Sequence, residues 1–118
     1  MRRTALAAMV PLLILLATGD ASAHASLDHA EPRVGNTVAT APREVTLWFT
    51  QKLETAFSAI TVTNSAGQRV DTGKTRVSGN QMTISLRPVG AGTYRVKWRV
   101  LSVDTHRADG DFSFKVGP

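Results

Sequence analysis

The chain has no cysteine among its 118 residues. That excludes a disulfide framework and any metal site built on thiolates. Methionine is nearly as scarce. None lies between Asn64 and Gly79, and Met82 stands alone in an apolar stretch. A thioether site for a soft, monovalent metal needs several such ligands together, so none is expected, and Met82 reads as a core residue. No basic run is longer than the alternation Arg95, Lys97, Arg99. Without a basic cluster the chain is not expected to bind nucleic acid, and its formal charge of +5 reads as a solvated basic face, the functional alternative being attraction to an anionic membrane surface or an acidic partner. Beyond residue 23 there is no second long apolar run and no sustained 3.6-residue period, so neither a membrane span nor a helical domain is expected.

The N-terminus has a distinct pattern. Arg2 and Arg3 precede a mostly apolar run from Ala5 to Ala17, and Ala21-Ser22-Ala23 follows. This is the layout of a secretory signal peptide over residues 1–23. Cleavage after Ala23 leaves one mature domain, residues 24–118, expected to be soluble and periplasmic, with full secretion as the alternative. His24 then carries a free α-amine beside its imidazole, and the two nitrogens can close a chelate ring on one metal ion. The plain alternative is a frayed polar terminus.

The mature stretch reads as short strands divided by turn signals. Glu44 to Thr50 alternates, with Val45, Leu47 and Phe49 on one face and Trp48 on the other. Ser58 to Thr63 and Met82 to Leu86 are further strands. Thr72-Gly73-Lys74 reads as a turn between two short strands. Gly92 to Val100 is the longest alternation, with Tyr94, Val96, Trp98 and Val100 directed to the core. Asp111 to Val116 closes the domain. About seven strands at this spacing predict an all-β fold: an immunoglobulin-like or cupredoxin-like antiparallel β-sandwich, or a Greek-key barrel.

Three histidines are present, at positions 24, 29 and 106. Asp104 and His106 are two apart, and in an extended segment their side chains share a face. Alone, this pair is also what a surface loop with one internal hydrogen bond looks like. With His24 and its amine it completes a set of three nitrogens and one oxygen. In a square-planar arrangement that set suits Cu(II), whereas zinc prefers a tetrahedral site. His29 does not share the face of His24 and reads as a surface residue.

Several stretches carry a family resemblance: His24-Ala25-Ser26-Leu27, Leu47-Trp48-Phe49-Thr50, Ala91-Gly92-Thr93-Tyr94 with Trp98-Arg99-Val100, and Ser102-Val103-Asp104-Thr105-His106. On these the chain resembles the CopC family of periplasmic copper-resistance proteins. The resemblance implies one Cu(II) ion per domain, held by His24, Asp104 and His106. It also implies a copper-sequestering or copper-delivering module rather than an enzyme, with a CopD-like inner-membrane protein as partner, and the chain is expected to be a monomer. The competing reading is an oxidative copper enzyme with a histidine brace, like the lytic polysaccharide monooxygenases. The chain departs from the family in having Gln51 where relatives often carry a glutamate, so that position supplies no negative charge. Glu54 stands nearby.

Overall fold

A computed structural model describes residues 26–118. The expected signal peptide, its expected cleavage site and His24 lie outside the described residues. Eight strands follow in chain order: β1 (Leu27–Glu31), β2 (Thr37–Val38), β3 (Glu44–Phe49), β4 (Ala59–Thr63), β5 (Asp71–Ser78), β6 (Gln81–Leu86), β7 (Gly92–Leu101) and β8 (Arg107–Val116). A short 3₁₀ turn, Thr55–Phe57, joins β3 to β4.

The strands form two four-stranded sheets, in the orders β1-β3-β6-β5 and β2-β8-β7-β4. Setting aside β2, which runs parallel to β8 over two residues, the remaining seven strands have the order of a constant-type immunoglobulin sandwich. The expected all-β sandwich is present. A second mark of that fold occurs at the entry to β7, where the Tyr94 hydroxyl donates to the Gly90 carbonyl at 2.7 Å. This is the tyrosine corner, which pins the crossover loop to the strand it feeds.

Alternation places the core between the sheets. Val45, Leu47 and Phe49 of β3 and Met82, Ile84 and Leu86 of β6 meet Ile60, Val62, Val96, Phe112 and Phe114 from the opposite sheet. Met82 is a core residue, as expected. Trp48 projects outward and stacks on His29, ring centroids 4.3 Å apart. Trp98 faces inward but is only half-buried. Its indole meets Phe49 edge-on at 5.0 Å and lies over Gly110, its cross-strand partner. Alternation gave its face correctly but not its depth.

Two boundaries differ from the sequence reading. Thr72-Gly73-Lys74 is not a turn between strands. It lies inside β5, where the register shifts between Asp71 and Thr75 and Gly73 adopts φ +84°. A glycine signalling a turn and a glycine signalling a bulge look alike in sequence, because both need the same backbone freedom. The last strand also begins earlier than expected, at Arg107, so β7 and β8 pair over ten residues.

The two sheets are joined along one side by side chains of β5 reaching the edge of β4. Asp71, with its side chain fully buried, accepts from the Val62 amide at 2.7 Å, and Thr75 Oγ1 accepts from the Ile60 amide at 3.1 Å. Strand β4 is an edge strand, so these bonds pair amides that would otherwise lie open. Asp71 also takes hydrogen bonds from Gly73 and the Arg69 guanidinium. Burial alone would raise its carboxyl pKa. The Arg69 guanidinium and the two backbone amides outweigh burial and hold it below its ordinary value.

Two predictions follow from this packing. A carboxyl with a depressed folded pKa stabilises the fold above its unfolded pKa, and that contribution is lost as pH falls through the folded value. Asp71→Asn should therefore destabilise the protein at neutral pH, and the gap to wild type should close below about pH 4. Urea denaturation at a series of pH values measures both. At Gly110 an added Cβ would lie 2.5 Å from Trp98 Cζ2. Gly110→Ala should cost about 1–3 kcal/mol and shift the tryptophan fluorescence, as the indole is pushed off Phe49.

Candidate metal centre

Asp104 and His106 lie in the connection between β7 and β8. This segment is not extended, as the sequence reading assumed. Thr105 has φ +71°, a left-handed conformation that strains a β-branched residue, and its amide donates to the Ser102 carbonyl at 2.8 Å. The turn, rather than strand pleating, brings the two side chains together. His106 Nδ1 lies 3.2 Å from Asp104 Oδ1. Nδ1 is shielded from solvent, while the side chains as wholes are 44% and 46% exposed.

Ser102 organises the turn. Its side chain is fully buried, and its hydroxyl donates to Asp104 Oδ1. Ser102 Oγ in turn accepts from the His106 amide at 3.3 Å. The Ser102 amide donates to the His106 carbonyl at 2.9 Å, closing the loop onto its own base. The hydrogen bonds from Ser102 and His106 hold the Asp104 carboxyl below its ordinary pKa. A carboxylate kept ionised in this way is ready to bind a cation without first losing a proton. The sequence reading did not assign Ser102 a role. Its signal was a small polar residue at the end of a long apolar alternation, which by itself does not distinguish a buried anchor from a loop residue.

The chain around Leu53 supports the turn from outside. Leu53 bridges to Ser102, the Glu54 amide donates to the Leu101 carbonyl at 2.7 Å, and the Val103 amide donates to the Lys52 carbonyl at 3.0 Å. This segment is tied in turn to the start of the described chain. The Thr50 amide donates to the Ser26 carbonyl at 3.0 Å, and Thr50 Oγ1 accepts from the Ser26 amide at 2.9 Å. Ser26 therefore sits at the end of the sandwich that carries Asp104 and His106. Gln51 and Glu54 lie on this segment.

The pair brings together an imidazole and a carboxylate, both donor types that a divalent metal ion accepts. Among the described residues no group of three or more histidine or carboxylate side chains converges. Further donors must come from elsewhere, and His24 is outside the described residues. His29 is separate from this pair. It stacks on Trp48 and its Nδ1 lies 2.7 Å from Asp28 Oδ2.

The Ser102 anchor is testable. Ser102→Ala should destabilise the protein by about 1–3 kcal/mol, because it leaves buried loop polar groups unpaired. It should also raise the Asp104 pKa toward its ordinary value. Chemical denaturation reads the first effect and an NMR pH titration of the carboxyl reads the second.

The CopC domain model matches residues 27–117. Protein YobA of Escherichia coli (strain K12) is 34% identical over 116 residues, covering 92% of this chain and 91% of that protein. Copper resistance protein C of Pseudomonas syringae pv. tomato is 35% identical over 111 residues, covering 86% and 87%. Copper transport protein CutJ of Bacillus subtilis (strain 168) is 33% identical over 99 residues, covering 80% of this chain but only 18% of its own length. The crystal structure of CopC from Methylosinus trichosporium OB3b superposes with a TM-score of 0.76 at 33% identity, covering 80% of this chain and 95% of that one. Sequence and fold agree, and the chain belongs to the CopC family of copper-resistance proteins.

Proposed function

We propose that this protein, exported and cleaved after Ala23, binds one Cu(II) ion in the periplasm through the His24 amine and imidazole, Asp104 and His106. The observation that carries the reading is the tie from Ser26 through Thr50 and Leu53 to Ser102. It anchors the start of the described chain at the end of the sandwich that carries the Asp104–His106 turn. His24 is two residues upstream of Ser26, and two residues reach about 7 Å when extended. The donor set holds nitrogen and carboxylate and neither thiolate nor thioether, which favours Cu(II) over Cu(I).

The site reads as a binding module. It holds the ion outside the cytoplasm and passes it to a membrane protein of CopD type, with the protein acting as a monomer. The similarity to one segment of the copper transport protein CutJ supports the hand-over. Formation of the site only after export would prevent the protein from trapping copper in the cytoplasm.

The test is mass spectrometry of the exported protein followed by Cu(II) titration. The expected N-terminus is His24 and the expected stoichiometry is one. Binding should weaken as pH falls, because protons compete with the metal ion for the nitrogen donors. Adding one alanine before His24 should cost at least about tenfold in Cu(II) affinity with thermal stability unchanged. A mature chain that begins elsewhere, or unchanged affinity after the insertion, removes the terminal amine from the site.

A further inference from the structure

The outer face of the β2-β8-β7-β4 sheet carries most of the protein's charge. Arg95, Lys97 and Arg99 of β7 and Arg107 and Lys115 of β8 project from it, against Asp109 and Asp111. Five cations against two carboxylates give this face +3, while residues 26–118 as a whole, with twelve cations and eight carboxylates, carry +4. The outer face of the other sheet is different. There Glu44 is paired with Arg76 at 3.2 Å, and Glu31 stands on β1. On the cationic face, Arg95 pairs with Asp111 at 3.0 Å. Among the described residues, Lys97, Arg99, Arg107 and Lys115 take part in no ion pair.

An exposed aromatic stands at the edge of this face. Phe57, on the 3₁₀ turn, is 62% exposed and lines a cleft of about 240 Å³ with Leu101, Arg99 and Arg107. Val103, 51% exposed, lies in the turn that holds Asp104 and His106. Both apolar side chains are at the metal end of the sandwich.

We propose that this face docks on an anionic lipid bilayer, with Phe57 and Val103 entering the headgroup region and the Asp104–His106 turn held at the membrane surface. Charge complementarity names the occupant. The cations are divided between two clefts on this face, Arg99 and Arg107 in one of about 240 Å³ and Arg95 and Lys97 in another of about 580 Å³, and do not converge at one point. They are spread along ten-residue strands, about 33 Å of sheet face, which matches an extended anionic plane. An exposed aromatic at the rim adds the apolar component of interfacial binding. Each ingredient is weak, so the attachment is reversible and sensitive to salt. The inference does not depend on copper.

The experiment is co-sedimentation of the exported, metal-free protein with vesicles of equal parts phosphatidylglycerol and phosphatidylcholine, beside vesicles of phosphatidylcholine alone. Binding is expected to the anionic vesicles only and should disappear at about 1 M salt. Lys97→Gln with Arg99→Gln should lower the partition coefficient about 30-fold, the equivalent of about 1 kcal/mol per lost charge. Phe57→Ser should lower it further, and both changes should leave Cu(II) titration curves unaltered. No binding to anionic vesicles overturns the proposal, even if an acidic protein is found to bind the same face. Equal binding to neutral vesicles, or a double variant that binds like wild type, overturns it as well. Because copper is absent from the vesicle assay, its failure is separate from failure of the Cu(II) site.

Discussion

A slip of one residue between β7 and β8 would turn the apolar set of one strand, Val96 and Val100 or Phe112 and Phe114, out of the core and the cations of that strand into it. The ten-residue register of this pair therefore governs more than its own hairpin. On its inner face it supplies a large part of the sandwich core. On its outer face it lines up the cationic stripe. At its end it fixes where the five-residue connection Ser102–His106 must leave and re-enter the sheet. Trp98 over Gly110 adds specificity to this register, because only a residue without a Cβ fits beneath the indole.

The connection meets opposite demands. Asp104 and His106 have to stay accessible and polar, while the backbone that carries them has to be fixed. Ser102 meets the second demand from below, with its buried hydroxyl and its backbone bonds to His106. The Lys52–Glu54 segment meets it from the side. The left-handed Thr105 is the strain that remains, and it is held because the bonds on both sides over-determine the turn. A carboxylate and an imidazole held in contact on a rigid turn have already lost much of their conformational freedom, so little ordering is left for a binding step.

Much of the fold was legible because a half-buried strand writes its face into every second residue. β3, β6 and β7 show this, and the order of their turns was enough to suggest an immunoglobulin-like sandwich. What escaped was whatever depends on long-range geometry. Depth was one such property, since Trp98 near the end of the barrel has the same alternation as Val96 at its centre. The junction of the two sheets was another. Asp71 looks like a turn aspartate in sequence, and only the meeting of β4 and β5 makes it a buried tie. For the site, the residue types of Asp104 and His106 were legible, while the reason they converge was misread. The two-residue spacing suggested a strand, and a turn does the work instead. Ser102 carried no signal of its own, and β2 is too short to show a pattern.

The division between the two ends of the molecule has an energetic consequence. The interactions that hold the sandwich together lie between the sheets and along the β4–β5 edge, away from the Asp104–His106 turn. The proposed ligands are partly exposed groups at one end, and removing their side chains opens no cavity in the core. Binding and folding are thus separable in this protein for most ligand substitutions. Ser102 is the exception, because it belongs to both: it is buried like a core residue and it holds the carboxylate of the site. Exposed positions of the turn can change without disturbing the scaffold, whereas loss of the buried hydroxyl disturbs the turn itself.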